Sequence, residues 1–152
     1  MKDLKEHIIE GLKIGANTKV NTYKYHPKTK KELKELVQKL IKERGNEADL
    51  NDIDVSEITD MTSMFYNSDF NGDISEWDVS NVTNMSHMFE YSKFNGDISK
   101  WNVSNVKTMY AMFRRSKFNG DISKWDVSNV KDMFEMFYKS PLKKNPPKWY
   151  KK

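Results

Sequence analysis

The sequence predicts an α/β repeat solenoid with one short strand and one short helix per turn behind an N-terminal helical cap. Three observations predict it. A period of 24 residues is registered on Phe70, Phe94 and Phe118. Inside each period the apolar spacing switches from strand-like to helix-like, and an amphipathic helical pattern precedes the first copy.

The period is read directly. FNGDISEWDVSNVTNMSHMFEYSK is followed by FNGDISKWNVSNVKTMYAMFRRSK and then FNGDISKWDVSNVKDMFEMFYKSP, and about two thirds of the positions recur identically. A degenerate copy comes first: Asp49-Leu50 aligns with Asp73-Ile74, Ile53 to Ser56 with Trp77 to Ser80, and Met61, Met64 and Phe65 with Met85, Met88 and Phe89. The organisation is therefore a capping region over 1–48 with a helix over about 30–44, repeats over 49–69, 70–93, 94–117 and 118–140, and a C-terminal cap over 141–152.

Within a copy, Ile74, Trp77 and Val79 follow the L-x-x-L-x-L spacing of a leucine-rich repeat, which predicts a strand over Ile74 to Ser80. Val82, Met85, Met88 and Phe89 are spaced as on a helix, predicted from about Thr83 to Tyr91. Asn71-Gly72-Asp73 reads as a tight turn in which glycine supplies positive φ. One copy cannot bury its apolar face alone, but stacked copies align Phe, Ile, Trp, Val and Met into a continuous core.

The ends fit this scheme. Thr29 to Glu32 matches a capping box, and Leu33, Leu36, Val37, Leu40 and Ile41 then mark one helix face until Gly45. That stripe is expected to cover the open end of the first repeat. Lys2 to Lys13 reads as a weaker amphipathic helix and Val20 to Tyr25 as a loose strand. Pro141 to Tyr150 ends the repeats with prolines that cannot continue a ladder, plus an aromatic pair able to cover the last coil.

Composition narrows the function classes. With 12% aromatic residues the chain is expected to fold despite 32% charged residues. It has no cysteine, which excludes disulfides, thiolate metal sites and cysteine nucleophiles. Met1 to Ala16 resembles neither the apolar core of a signal peptide nor a membrane span. Charge is uneven: residues 1–45 carry 12 basic and 6 acidic groups, 46–140 carry 9 and 16, and 141–152 carry 5 and none.

The motif Phe-Asn-Gly-Asp-Ile-Ser-x-Trp-Asp-Val-Ser-Asn-Val, followed by Met and Met-Phe, resembles the BspA-like repeats of bacterial surface proteins over residues 49–140. Tyr25 to Leu36 and Asn145 to Tyr150 look like the flanks such repeats carry. The resemblance implies leucine-rich-repeat-like coils, display at the cell surface or secretion, adhesion to host proteins or other protein contacts, and no catalytic residues. This chain departs from the longer adhesins in its few turns and in having neither a signal peptide nor a lipid-attachment cysteine.

No catalytic or cofactor-binding residue is assigned. His7, His26 and His87 are scattered, the recurring serines have no paired base, and no glycine-rich phosphate loop or zinc motif occurs. The stacked Asp73, Asp97 and Asp121, with Asn71, Asn95 and Asn119 beside them, require either backbone donors or a cation such as calcium. The lysines from Lys19 to Arg44 read as a solvated helix face rather than a nucleic-acid patch.

Positions that differ between otherwise identical copies are the ones free to face a partner. They form the columns Thr59, Thr83, Lys107, Lys131; Thr62, Ser86, Tyr110, Phe134; Ser63, His87, Ala111, Glu135; and Tyr66, Glu90, Arg114, Tyr138. Tyr91, Tyr110, Arg114, Arg115, Phe134 and Tyr138 are the candidate contact residues, because interface centres are enriched in aromatic side chains and arginine. The competing assignment makes Tyr110 and Phe134 packing residues and the arginines solubilising. The expected function is a non-enzymatic protein-interaction module; the second reading is a spacer domain stabilised by cations.

Overall fold

The computed structural model describes residues 22–151. The expected Lys2 to Lys13 helix and the start of the Val20 to Tyr25 segment lie outside them. Tyr25 itself forms an isolated parallel bridge with Ile53.

The first element is α1, Lys30–Arg44. Thr29 Oγ1 accepts the Glu32 amide at 3.1 Å, and Glu32 Oε2 reaches back to the Lys28 amide at 2.8 Å. Gly45, at φ 92°, ends the helix while its amide donates to the Ile41 carbonyl. Leu33, Val37 and Leu40 are buried in the same core as the first repeat.

The repeats do not form the α/β solenoid expected of them. Among the described residues there is one α-helix and one 3-10 turn, Pro141–Lys143, and no extended strand. Backbone pairing between copies is confined to isolated parallel bridges: Asp49 with Asp73, Asp60 with Asn84, Asn84 with Thr108, and Thr108 with Asp132. The strand-plus-helix turn of a leucine-rich repeat is therefore absent, and each copy is a coil of linked tight turns.

The reason lies in where alternate amides point. The amides of Met85, His87, Phe89 and Tyr91 donate outward to the carbonyls of Thr108, Tyr110, Met112 and Arg114 in the next copy, at 2.9–3.0 Å. Those of Met88, Glu90 and Ser92 donate three residues back, closing turns inside the copy. An α-helix would need all of these amides for its own i→i−4 ladder, so the predicted Thr83 to Tyr91 helix does not form. The turns demand left-handed backbone at Ser63, Asn67, His87, Tyr91, Ala111, Arg115, Glu135 and Lys139, with φ between 52° and 59°.

Nor is Ile74 to Ser80 a strand. Trp77 and Val82 close turns onto Ile74 and Val79, and side chains tie the copies together on this side. The indole Nε1 atoms of Trp77, Trp101, Trp125 and Trp149 donate to the carbonyls of Leu50, Ile74, Ile98 and Ile122. Asn81, Asn105 and Asn129 donate to the carbonyls of Ser56, Ser80 and Ser104. The indoles of Trp77, Trp101 and Trp125 thereby satisfy carbonyls in the buried interior, while the asparagine bonds lie at the exposed edge. Trp149, assigned by the sequence to a cap, thus continues the tryptophan series of the repeats.

Like side chains share one interior. Phe65, Phe89, Phe113 and Phe137 stack at 5.5–5.9 Å between ring centroids with planes within 6°. Phe70, Phe94 and Phe118 do the same at 6.1 and 6.3 Å. Rings at these spacings remove large apolar areas from water and add offset-stacking attraction.

The glycine of Asn-Gly-Asp serves a different purpose from the one expected. Among the described glycines only Gly45 has positive φ. Gly72 is needed for close approach: an added Cβ would lie 2.0 Å from the Ala48 carbonyl oxygen.

The Met-Phe side of the stack has a polarity, because the outward amides of Met61, Ser63, Phe65 and Asn67 and of their equivalents donate to carbonyls of the following copy, whereas those of Thr83, Lys93, Lys107 and Lys117 donate back to the preceding one. The first copy accordingly presents carbonyls toward α1, where Lys34 Nζ donates to those of Ser63 and Met64 at 2.7 and 3.0 Å. The ammonium group thereby caps the N-terminal edge.

Candidate interaction surface

The repeated aspartates are occupied by their own turns. Asp73, Asp97 and Asp121 each accept the amide of the serine two residues on at 2.9 Å, and the Ser75 and Ser99 hydroxyls add bonds of 2.7 Å. The side-chain oxygens of Asn71 and Asn95 accept the Asn95 and Asn119 amides. Among the described residues no three His, Asp or Glu side chains converge as a metal-ligand set.

These bonds carry a pH dependence. The serine hydroxyl, then the serine amide, holds the Asp73 and Asp97 carboxyls below the ordinary aspartate value of 3.8, and Ser123 does the same for Asp121. A carboxyl with a lower pKa folded than unfolded contributes stability above its unfolded value and loses it as pH falls through its folded value. The urea midpoint is expected to stay flat down to about pH 5 and to fall below about pH 4. Replacing the three aspartates by asparagine should reduce that acid limb while keeping the turn, since in the second Asx-x-Ser turn of the third copy Asn102, in the place of Asp78 and Asp126, already accepts the Ser104 amide. An acid limb unchanged in that variant contradicts the assignment.

The variable positions build the remaining surface. Phe134 stacks on Tyr110 at 6.1 Å and Tyr110 meets His87 edge-on at 5.1 Å. His87 Nδ1 is hydrogen-bonded to Glu90, whose other oxygen accepts from Arg114 Nη1 at 2.8 Å. Arg114 Nε lies 3.0 Å from Glu135 without the alignment to donate, so that contact is ionic only. The Arg114 guanidinium is 5.4 Å from the Tyr138 ring, and Arg115 sits 5.6 Å from Tyr91 and 5.9 Å from Tyr138. All six candidate residues thus join one continuous string of contacts across the repeats.

They are not equivalent. Phe134 is 64% exposed and Tyr91 41%, and Arg115 is also exposed. Arg114 is instead a bridge: it neutralises Glu90, which is only 3% exposed, and ties the second, third and fourth copies together. Its substitution would leave a buried carboxylate short of a partner, so Arg114 belongs to the fold as much as to the surface. Two members of the variable columns are not among the candidate contact residues. Glu90 is buried although a charged residue in a variable column reads as solvated, and Tyr66, 47% exposed, meets Tyr91 edge-on at 5.9 Å.

The N-terminal lysines lie elsewhere. Lys30, Lys31 and Lys34 line a shallow depression of about 610 Å³ between α1 and the first repeat, with Thr62 and Ser63. No helix among the described residues is long and apolar enough to cross a membrane.

Comparison with known proteins gives a family and no activity. No curated protein and no solved structure matches the chain. A family described as "Mycoplasma protein of unknown function, DUF285" matches residues 31–149, from the first turn of α1 to the last tryptophan of the series. The span includes every coil described above, and the chain belongs to that family.

Proposed function

We propose that this chain is a non-enzymatic protein-interaction module whose partner surface is formed by the variable positions of the repeats. One observation carries the reading. Apart from the buried Glu90 and Ala111, residues that differ between otherwise identical copies lie at the surface or partly so, with Phe134, Tyr91 and Arg115 exposed. The recurring Phe, Trp and Met positions are buried almost throughout. Exposed aromatic and arginine side chains on a rigid scaffold are what interface centres use.

The resemblance of the repeat to BspA-like surface-protein repeats supports adhesion or host-protein binding as the setting. The cation-stabilised spacer has less support, because each repeated aspartate already has donors in its own turn.

The test is capture from bacterial and animal-cell extracts with the full chain, the Tyr91→Ala/Arg115→Ala variant, and a control altered at Lys100 and Lys124 on the Asp-Ser turns. A partner retained by the chain and the control, and lost by the surface variant with its circular dichroism unchanged, is the expected result. Capture indifferent to Tyr91 and Arg115 contradicts the proposal.

A further inference from the structure

The Tyr138 ring is surrounded by cations. Arg114, Arg115, Lys139 and Lys143 place their charged groups 5.4, 5.9, 5.5 and 5.3 Å from its centroid. Arg114 is neutralised by Glu90 and Glu135. Among the described residues no carboxylate pairs with Arg115, Lys139 or Lys143. Three uncompensated like charges therefore converge on one ring, an arrangement that cation–π attraction offsets only in part and that an anion would relieve.

The backbone adds to this picture. Arg115 and Lys139 occupy left-handed turn positions, with φ 55° and 52°, where the first copy carries Asn67. Asparagine and glycine tolerate that conformation best, yet the third and fourth copies hold long cationic side chains there.

We infer that this corner binds an acidic segment of a partner protein, its carboxylates paired by Arg115, Lys139 and Lys143 and its apolar atoms resting on Tyr91 and Tyr138. The inference rests on the interaction-module reading and specifies the partner's chemistry. The forked Arg115 guanidinium suits a carboxylate, and the neighbouring rings suit the side chains beside it. A nucleic-acid track fits less well, since a phosphate backbone needs cations continuing along the stack. Here the cations do not continue into the second copy, which carries Glu90 and Tyr91 where the third carries Arg114 and Arg115, and whose Lys93 is already paired with Asp69.

The test uses the full chain and a fluorescein-labelled peptide of alternating glutamate and serine, read by anisotropy, beside its glutamine counterpart and an oligothymidine of similar length. The acidic peptide should bind, and raising the salt from 50 to 300 mM, about a sixfold change, should weaken it. Arg115→Glu/Lys143→Glu should reduce affinity by at least about tenfold, and the milder Arg115→Gln/Lys143→Gln by less, with melting curves unchanged. Lys100→Glu/Lys124→Glu should leave binding intact. No binding of the acidic peptide, equal loss in the Lys100/Lys124 variant, or tighter binding of the oligothymidine overturns the inference. If a partner captured through Tyr91 and Arg115 is nonetheless found, the interaction-module reading survives and only the acidic chemistry is wrong.

Discussion

Replacing Trp101 by alanine is expected to destabilise the chain by about 4 kcal/mol, because it removes a buried ring and a hydrogen bond between copies at once. The side chain is 4% exposed, stacks on Trp77 at 6.5 Å with planes 3° apart, and packs against Phe89. Its indole also donates to the Ile74 carbonyl at 3.0 Å, and a buried acceptor left without a donor costs about 1–3 kcal/mol by itself. Trp101→Phe separates the two contributions, since it keeps an aromatic ring and loses the bond; about 2 kcal/mol is expected. Trp149→Phe, at the partly exposed end of the series, should cost about 1 kcal/mol. Urea denaturation of the three variants measures this order, and a Trp101→Ala loss below about 1 kcal/mol would show that the indoles do not tie the coils together.

Replacing Gly72 by alanine is the second large effect. The new Cβ would sit 2.0 Å from the Ala48 carbonyl oxygen and 2.6 Å from the Phe70 ring. The backbone must then move, at the expense of the Asp73 amide bond to the Ala48 carbonyl and the Asn71 amide bond to the Asn46 carbonyl. A loss of about 3 kcal/mol is expected, within the range for overpacking a close-packed site. The effect should diminish along the stack. At Gly96 the nearest backbone atom is the Gly72 oxygen at 3.0 Å, and at Gly120 the three nearest atoms all belong to the Phe118 ring. Gly45→Ala meets nothing within 4 Å, and its cost, about 1–3 kcal/mol, comes from the backbone alone, since φ 92° with ψ 174° is a region that essentially only glycine adopts. Equal losses at all four glycines would contradict the close-approach explanation.

Much of the architecture is legible in the sequence. The 24-residue period names the residues that stack, because only equivalent positions can form columns. The capping box and apolar stripe place α1, because its bonds are local and its buried face is periodic. What the pattern does not carry is the direction of the amides. Val82, Met85, Met88 and Phe89 point inward in a coil of turns as they would on a helix, so side-chain spacing alone does not separate the two. The left-handed turn residues His87, Tyr91 and Arg115 hide the turns, because glycine or asparagine is the usual signal there. Trp149 lies one period beyond Trp125, but the prolines ahead of it read as a stop.

The contact surface is legible in part. Comparing copies isolates the variable columns, and the structure joins Tyr91, Tyr110, Arg114, Arg115, Phe134 and Tyr138 in one string of contacts. The comparison does not separate Arg114, which neutralises a buried carboxylate, from Arg115, which faces water. That distinction depends on the neighbouring copy, which a single repeat does not contain. The gathering of cations around Tyr138 likewise requires the fold, since Lys143 lies beyond the repeats and reaches the ring only through the 3-10 turn Pro141–Lys143.

The central claim is that alternate amides of one copy donate to the carbonyls of the next. Scalar couplings across hydrogen bonds, measured by NMR on the isotope-labelled chain, test it directly. Couplings are expected from the amides of Met85, His87, Phe89 and Tyr91 to the carbonyl carbons of Thr108, Tyr110, Met112 and Arg114. Couplings from those amides to carbonyls four residues earlier in the same copy would mean a helix in each repeat and would contradict the account.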